Sequence, residues 1–299
     1  MILDDLIKKQ IAHPPKWLAP NTQYLTIMGS EAYGCSSGDS DKDIYGFCVP
    51  KKDLIFPHLA GEVLGFGKQI NRFEQYQEHH ILDKETGKEY DFQIFSIVKY
   101  FQLLMDNNPN VIDSLFTPEF CVLHITPLGQ MVRNQRKIFL HKGCYHKFRG
   151  YAHAQSKKLI NKKLPKGKRK EDVEKHGYST KFAYHIIRLA LEAEQLLQFG
   201  DLDLKRDREI LKSVRRGEWT EEEILKWFSD KEKYLESLYE KSTLPYGPDE
   251  DKIKQLLLEC LEHHYGDLSS CVIVPDRATQ AIKEITTIIE KINGTTRKS

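Results

Sequence analysis

Two short segments carry the side chains best suited to chemistry: Gly29-Ser30, and Asp41-Lys42-Asp43 beyond the stretch Glu31 to Ser40. Glycine lets a backbone approach a bulky ligand with no Cβ in the way, and serine offers a hydroxyl to a phosphate oxygen or a helix start. With Asp41 and Asp43 at the head of a strand, the period of two puts both carboxylates on one face and Lys42 on the other. Like charges so close repel and raise each other's pKa, and a divalent cation removes that repulsion. Hard oxygen ligands in so small a cluster suit Mg²⁺, with Mn²⁺ as the alternative; one or two carboxylates plus substrate phosphates commonly hold such an ion. Taken singly, an Asp-Ser-Asp-Lys-Asp run is a solvated turn, and a lone Gly-Ser carries little. Together, with an apolar run on each side, they read as a phosphate cradle facing a carboxylate pair.

Strands must position these groups. Leu25-Thr26-Ile27-Met28 is short, apolar and partly β-branched, and Ile44 to Val49 reads as a second strand. The aromatic-rich runs Arg72–Leu82 and Lys88–Ile97 flank Asp83-Lys84-Glu85-Thr86-Gly87, a hairpin signal. Asp91 sits inside the second run, sharing a face with Gln93 and Phe95, opposite Tyr90, Phe92 and Ile94. A carboxylate buried there is costly unless paired or metal-bound; the alternative is an acid on the solvated face of an edge strand. Met1 to Ile11 reads as an amphipathic helix covering the sheet, ended by Pro14-Pro15, with Trp17-Leu18 an apolar anchor. Lys51 to Phe73 reads as loop, with Lys68 and Arg72 either reaching phosphates or simply exposed. Ser96 to Met105 reads as a helix with Val98, Phe101, Leu104 and Met105 inward, stopped by Asp106 to Asn110. Phe120 to Leu123 is a candidate last strand, and Gly129 to Ile138 a helix.

From Phe139 the composition turns helical. A long helix begins around Phe148, then Lys162–Lys170 forms the dense basic tract, either phosphate contacts for an oligonucleotide or triphosphate or a solvated loop. Tyr178 to Gly200 is the clearest helix, capped by Ser179 or Thr180 and closed by Gly200. Lys181, His185 and Arg188 make one polar stripe along it. Facing the cleft, that stripe suits a triphosphate, with Arg188 as a fork-shaped donor; facing outward, it is a salt-bridged solvent face. Arg206 to Gly217 carries a further basic run. Thr220 to Glu223 caps a helix reaching Tyr239, and another runs from Asp249 to about Tyr265. Val272 to Pro275 reads as extended, Asp276 to Ile292 as a last helix, and Asn293 to Ser299 as a polar tail. The pairs His79-His80 and His263-His264 lack metal-ligand spacing and read as ordinary residues.

Met28-Gly29-Ser30, the intervening segment and Asp41-Lys42-Asp43-Ile44 resemble the signature of the DNA polymerase β-like nucleotidyltransferase superfamily. Asp91 resembles its third metal carboxylate. The run Phe101 to Phe116, with Asn108-Pro109-Asn110 and Leu115-Phe116, is similar to the RlaP-like nucleotidyltransferases encoded beside RNA ligases, as is the Lys181, His185, Arg188 spacing. Asp113 stands where that family more usually has Glu. The resemblance implies an α+β fold: a small mixed β-sheet backed by helices, followed by a helical domain. The division would be a catalytic domain over 1–136 and an α-helical domain closing the nucleotide cleft over 137–299. It implies transfer of a nucleoside monophosphate from a nucleoside triphosphate (ATP among the candidates) to a hydroxyl acceptor, with release of pyrophosphate. Asp41 and Asp43 would hold both Mg²⁺ ions, and Asp91 would bind the ion at the acceptor hydroxyl or act as its base. Gly29 and Ser30 would hold phosphates, with Lys181, His185 and Arg188 lining the nucleotide from the helical side. An RNA end, such as a tRNA, is the favoured acceptor. The rivals are a protein hydroxyl, as in antitoxin-type adenylyltransferases, and a non-catalytic binder on the same scaffold.

Composition narrows the classes further. The 299 residues are 40% hydrophobic and 29% charged, a globular balance. A net charge of +2 gives no global field for nucleic acid, so any basic surface is local. No apolar run approaches a membrane span, and the N-terminal stretch, with early acids, is not expected to be a signal peptide. Six cysteines without C-x-x-C spacing suggest reduced thiols and a cytoplasmic setting. Oligomeric state does not follow from the sequence.

Overall fold

The computed structural model describes residues 1–35, 41–67, 69, 72–161, 168–272, 281–282 and 284–289. Side chains of 168–170, 270 and 272 lie outside the description. Two compact units emerge: Met1–Pro50 with Phe73–Cys260, and Lys51–Arg72 with Leu261–Ser299. Positions 136 and 137 fall within the first.

The first unit is built on five strands: β1 (Thr22–Ile27), β2 (Lys42–Cys48), β3 (Gln75–Asp83), β4 (Lys88–Ser96) and β5 (Val122–Ile125). Their order is β3-β4-β2-β1-β5. β2 and β4 run parallel, and the other pairings are antiparallel, so the sheet is mixed and the fold α+β. The parallel pairing follows from chain order: the β3–β4 hairpin returns alongside β2 after a long excursion. The expected hairpin is present, with Asp83 Oδ1 accepting from the Glu85 amide to shape its turn. The last strand falls slightly later than expected, ending at Ile125.

Helices cover both faces. α1 (Ile2–Lys8) and α2 (Leu18–Asn21) lay Leu3, Leu6 and Leu18 on Ile44, Tyr90, Phe92 and Ile94. The anticipated helical cover and apolar anchor are therefore in place. α3 (Gly29–Ala32) is a single turn after β1. The other face carries Asp43, Tyr45 and Phe47 of β2 beside Asp91, Gln93 and Phe95 of β4. At its closed end Phe47 stacks on Tyr100, with ring centroids 4.9 Å apart. Tyr100 belongs to α5 (Ile97–Met105), which Ser96 caps. Its buried face is Ile97, Tyr100, Phe101 and Leu104 rather than one including Val98 and Met105. The aromatic Tyr100 reaches the sheet and sets the helix rotation, which apolar spacing alone misjudged.

α6 (Pro109–Phe116) follows, capped by the Asn108 side chain on the Val111 amide. α7 (Pro127–Asn134) packs beside β1 and β5. α8 (Gly143–Ile160) and α9 (Lys168–His176) lead to α10 (Thr180–Phe199), the central helix, buried on nearly every side and closed by Gly200 at φ 57°. α11 (Arg208–Arg215) lies within the Arg206–Gly217 run. α12 (Glu221–Lys241) starts with the expected capping box of Thr220 and Glu223. α13 (Glu250–Tyr265) follows. Positions 162–167 of the basic tract, Lys68, and 273–280 and 290–299 of the expected C-terminal segments fall outside the described residues.

The Lys51–Phe73 stretch, of which Lys51–Arg72 belongs to the second unit, is not plain loop. It holds α4 (Lys52–Ile55) and a 3-10 turn at Pro57–Ala60, where proline starts the turn without needing its missing N–H. Phe56 meets Tyr265, and α14 (Ser269–Val272) presents its Cys271 carbonyl to the His58 imidazole. The aromatic anchoring, invisible in the local pattern, orders this stretch. All six cysteines are free and buried, and no helix among the described residues is long and apolar enough to cross a membrane.

Candidate active site

Asp43 and Asp91 are direct partners in the parallel β2–β4 ladder. The alternation of side chains then stands both carboxylates on the same face, side by side. Asp41 precedes β2 and is exposed. Its charge, with that of Asp91, raises the Asp43 pKa after burial, the larger cause; Lys181 and His79 pull it back. Asp43 is thus close enough to both other acids to sense their charge. Lys42, between the two aspartates, pairs instead with Glu31.

Gly29 is fitted to this arrangement. Its φ is +67°, and a Cβ built on it would overlap the Asp43 carboxylate at Oδ2. The Met28 amide donates to the Asp43 carbonyl at 2.7 Å, fastening the turn to the strand that carries the acid. Ser30 follows, half-buried in α3. Below Asp43 on the same face, the Tyr45 phenol is pushed up to about 12 by burial and by Asp43.

From the helical side, Lys181 is exposed and acts electrostatically on Asp43. His185 is held neutral: burial, then Arg188 and Lys181, drive its pKa down to about 2. Arg188 is placed differently. It is buried, with Nη1 donating to Asp113 Oδ2 at 3.1 Å and also to the Tyr33 hydroxyl. Its guanidinium is therefore engaged with protein acceptors, and Asp113 is its partner. The expected stripe is graded from open lysine to half-buried histidine to enclosed arginine.

The two histidines read as ordinary sit against Asp91. A register irregularity between Glu78 and Ile81 leaves His80 at φ 58°, its amide donating to Asp91 Oδ1 at 2.7 Å. His79 Nδ1 lies 3.3 Å from Asp91 Oδ2. Ligand atoms of His80, Glu89 and Asp91 lie within 4.8 Å of one another. Nothing in the local spacing announces the bulge that brings both imidazoles to one carboxylate.

The donor set fits a divalent ion. Carboxylates on adjacent strands share one face, the most buried one is unsettled by its like-charged neighbours, and a glycine clears the space beside it. The chain matches the RlaP family, described as an RNA repair pathway DNA polymerase beta family, over residues 5–259, and it belongs to that family. A comparison with curated proteins gives no match. Among solved structures, a nucleotidyltransferase-like protein from Exiguobacterium sibiricum 255-15 is similar over 87% of this chain and 72% of its own, at 11% identity and a TM-score of 0.29.

Proposed function

We propose that the protein is a metal-dependent nucleotidyltransferase that moves a nucleoside monophosphate from a nucleoside triphosphate to a hydroxyl on an RNA end. The observation that carries this reading is the in-register pairing of Asp43 with Asp91 beside Gly29. Asp41, Asp43 and Asp91 would hold Mg²⁺ or Mn²⁺, which when bound stabilises charge on the attacking and leaving oxygens. Asp91, braced by the His80 amide, would bind the ion at the acceptor hydroxyl or take that hydroxyl's proton. The Gly29–Ser30 turn receives phosphate oxygens without a side chain intervening, and Lys181 answers their charge from α10. Neutral His185 adds a hydrogen-bonding group without adding charge. The functional division follows the chemistry, with acids and turn in 1–136 and the cationic cover in 137–299.

RNA as acceptor is favoured by membership of an RNA repair family. Incubating the protein and Mg²⁺ with each α-labelled nucleoside triphosphate, total RNA and cell lysate tests the reading. Label that survives protease but not ribonuclease is expected. Label that survives ribonuclease but not protease would instead identify a protein acceptor, and no labelled product with any donor would remove the enzymatic reading.

A further inference from the structure

The buried cluster around Arg188 is left without a role by the chemistry above. Arg188 is 6% exposed. Besides Asp113 and Tyr33, its Nη2 reaches Asn110 Oδ1 at 3.5 Å, and its guanidinium lies 4.7 Å from the Tyr33 ring centroid. The Tyr33 hydroxyl donates to the same Asp113 oxygen at 2.5 Å. On its other side, Arg188 Nε is 3.8 Å from Glu192 Oε1. Tyr33 is the C-cap of α3, three residues beyond Ser30 of the Gly29–Ser30 turn. Asp113 and Asn110 stand on α6, and Arg188 on α10, two turns beyond Lys181. One guanidinium therefore joins the end of α3, α6 and the helix that carries the cation.

Stability alone is a poor reason for such a cluster. A buried ion pair seldom outperforms well-packed apolar side chains of similar volume. Here two acids face one guanidinium, and among the described residues Arg188 Nε, Asp113 Oδ1 and both Glu192 oxygens have no hydrogen-bond partner. What a planar fork supplies is orientation: its donors fix directions that apolar contacts leave free. Tyr33 is the recipient whose placement bears on ligand binding, because it sets where α3 and the preceding turn lie.

We propose that Arg188 is a positioning residue for triphosphate binding: through Asp113 and the Tyr33 hydroxyl it holds the Gly29–Ser30 turn in register with Lys181. This rests on the nucleotidyltransferase reading. The acids on β2 and β4 are anchored by the sheet, so loosening the clamp weakens phosphate affinity while leaving metal affinity alone.

Tyr33→Phe keeps the ring and its packing and deletes the hydroxyl. With the full chain, calorimetry with Mg²⁺ and inorganic tripolyphosphate measures phosphate binding, and Mn²⁺ binding followed by electron paramagnetic resonance measures the acidic site. Tyr33→Phe is expected to weaken tripolyphosphate about five- to tenfold, with Mn²⁺ affinity unchanged. Lys181→Met should also weaken it, and the double variant should lose less than the product of the two factors, since each change spoils the same registration. In turnover, the Tyr33→Phe effect should fall on KM for the triphosphate and spare kcat. Wild-type tripolyphosphate affinity in Tyr33→Phe, or equal losses of phosphate and Mn²⁺, would overturn the inference. Tripolyphosphate and Mn²⁺ both failing to bind the wild-type chain would remove the nucleotidyltransferase reading, and the clamp with it.

Discussion

Two groups of carboxylates in this protein solve the same electrostatic problem in opposite ways. Asp43 and Asp91 stand side by side on the sheet, partly exposed, with the exposed Lys181 acting on Asp43 through space. Asp113 and Glu192 are enclosed, with Arg188 lying between them. In the buried group the chain itself supplies one guanidinium, although burial still pushes Asp113 up to about 6 and Glu192 well above the usual carboxylate range. In the open group the excess is left standing, and burial, Asp91 and Asp41 together raise the Asp43 pKa. A pair left without an arginine can be completed by a cation from solution, which is the role proposed for Asp43 and Asp91. Structural charge and chemical charge are separated by whether the compensation is internal.

The sharpest way to break this contrast is to neutralise one acid in each group. Asp43→Asn is expected to lower turnover by about 10⁴-fold or more, the scale seen when one member of a catalytic unit is removed, while the far-ultraviolet circular dichroism spectrum stays native. Nucleotidyl transfer within tenfold of wild type would show that the open acids are not the reacting ones. Arg188→Met attacks the buried group by removing the internal countercharge. Leaving carboxylates buried without it should cost about 3–5 kcal/mol of stability, read from urea unfolding. A loss under 1 kcal/mol, on the order of a surface pair, would mean the cluster is not sustained by the arginine.

The two groups also differ in how far the sequence discloses them. Period-two alternation was enough to set Asp91 apart from Tyr90, Phe92 and Ile94, and the Gly-Ser and Asp-x-Asp spacing pointed to the turn and the strand head. What no pattern revealed was that β2 and β4 would lie parallel and in register, which turns two separate signals into one pair. The enclosure of the arginine was not legible because a helical wheel shows one polar stripe but not which neighbours cover each of its turns. Arg188 shares its stripe with exposed Lys181, yet Tyr33, from far earlier in the chain, closes over it. Likewise, His79 and His80 became partners of Asp91 through a strand irregularity that alternating patterns cannot encode. Local periodicity reports faces; long-range contacts decide which polar face is a site and which is a buried joint.

Gly29→Ala probes the boundary between turn and acid. The added Cβ would meet the Asp43 carboxylate at a φ that L side chains rarely adopt. A displaced carboxylate should lower turnover by roughly 10²-fold, the order expected for misplacement by about 1 Å. Near-normal turnover with a native Asp43 position in a crystal structure would show that the turn tolerates the methyl group.

The smallest expected effect is the most direct test of the open charge. The folded-state pKa of Asp43 is raised, first by burial and then by Asp91 and Asp41. Native protein therefore binds that proton more tightly than the unfolded chain does. Its favourable contribution is complete below the unfolded carboxylate pKa and is lost as pH rises through the higher folded value. In chelator, Asp43→Asn should melt above wild type at about pH 8, where the wild-type carboxylate is ionised, and the gap should close towards about pH 4. Added Mg²⁺ should reverse the order at the higher pH by stabilising wild type alone. A variant that melts below wild type in chelator across this range would mean that the Asp43 charge is already compensated within the fold, and the distinction between the two groups would disappear.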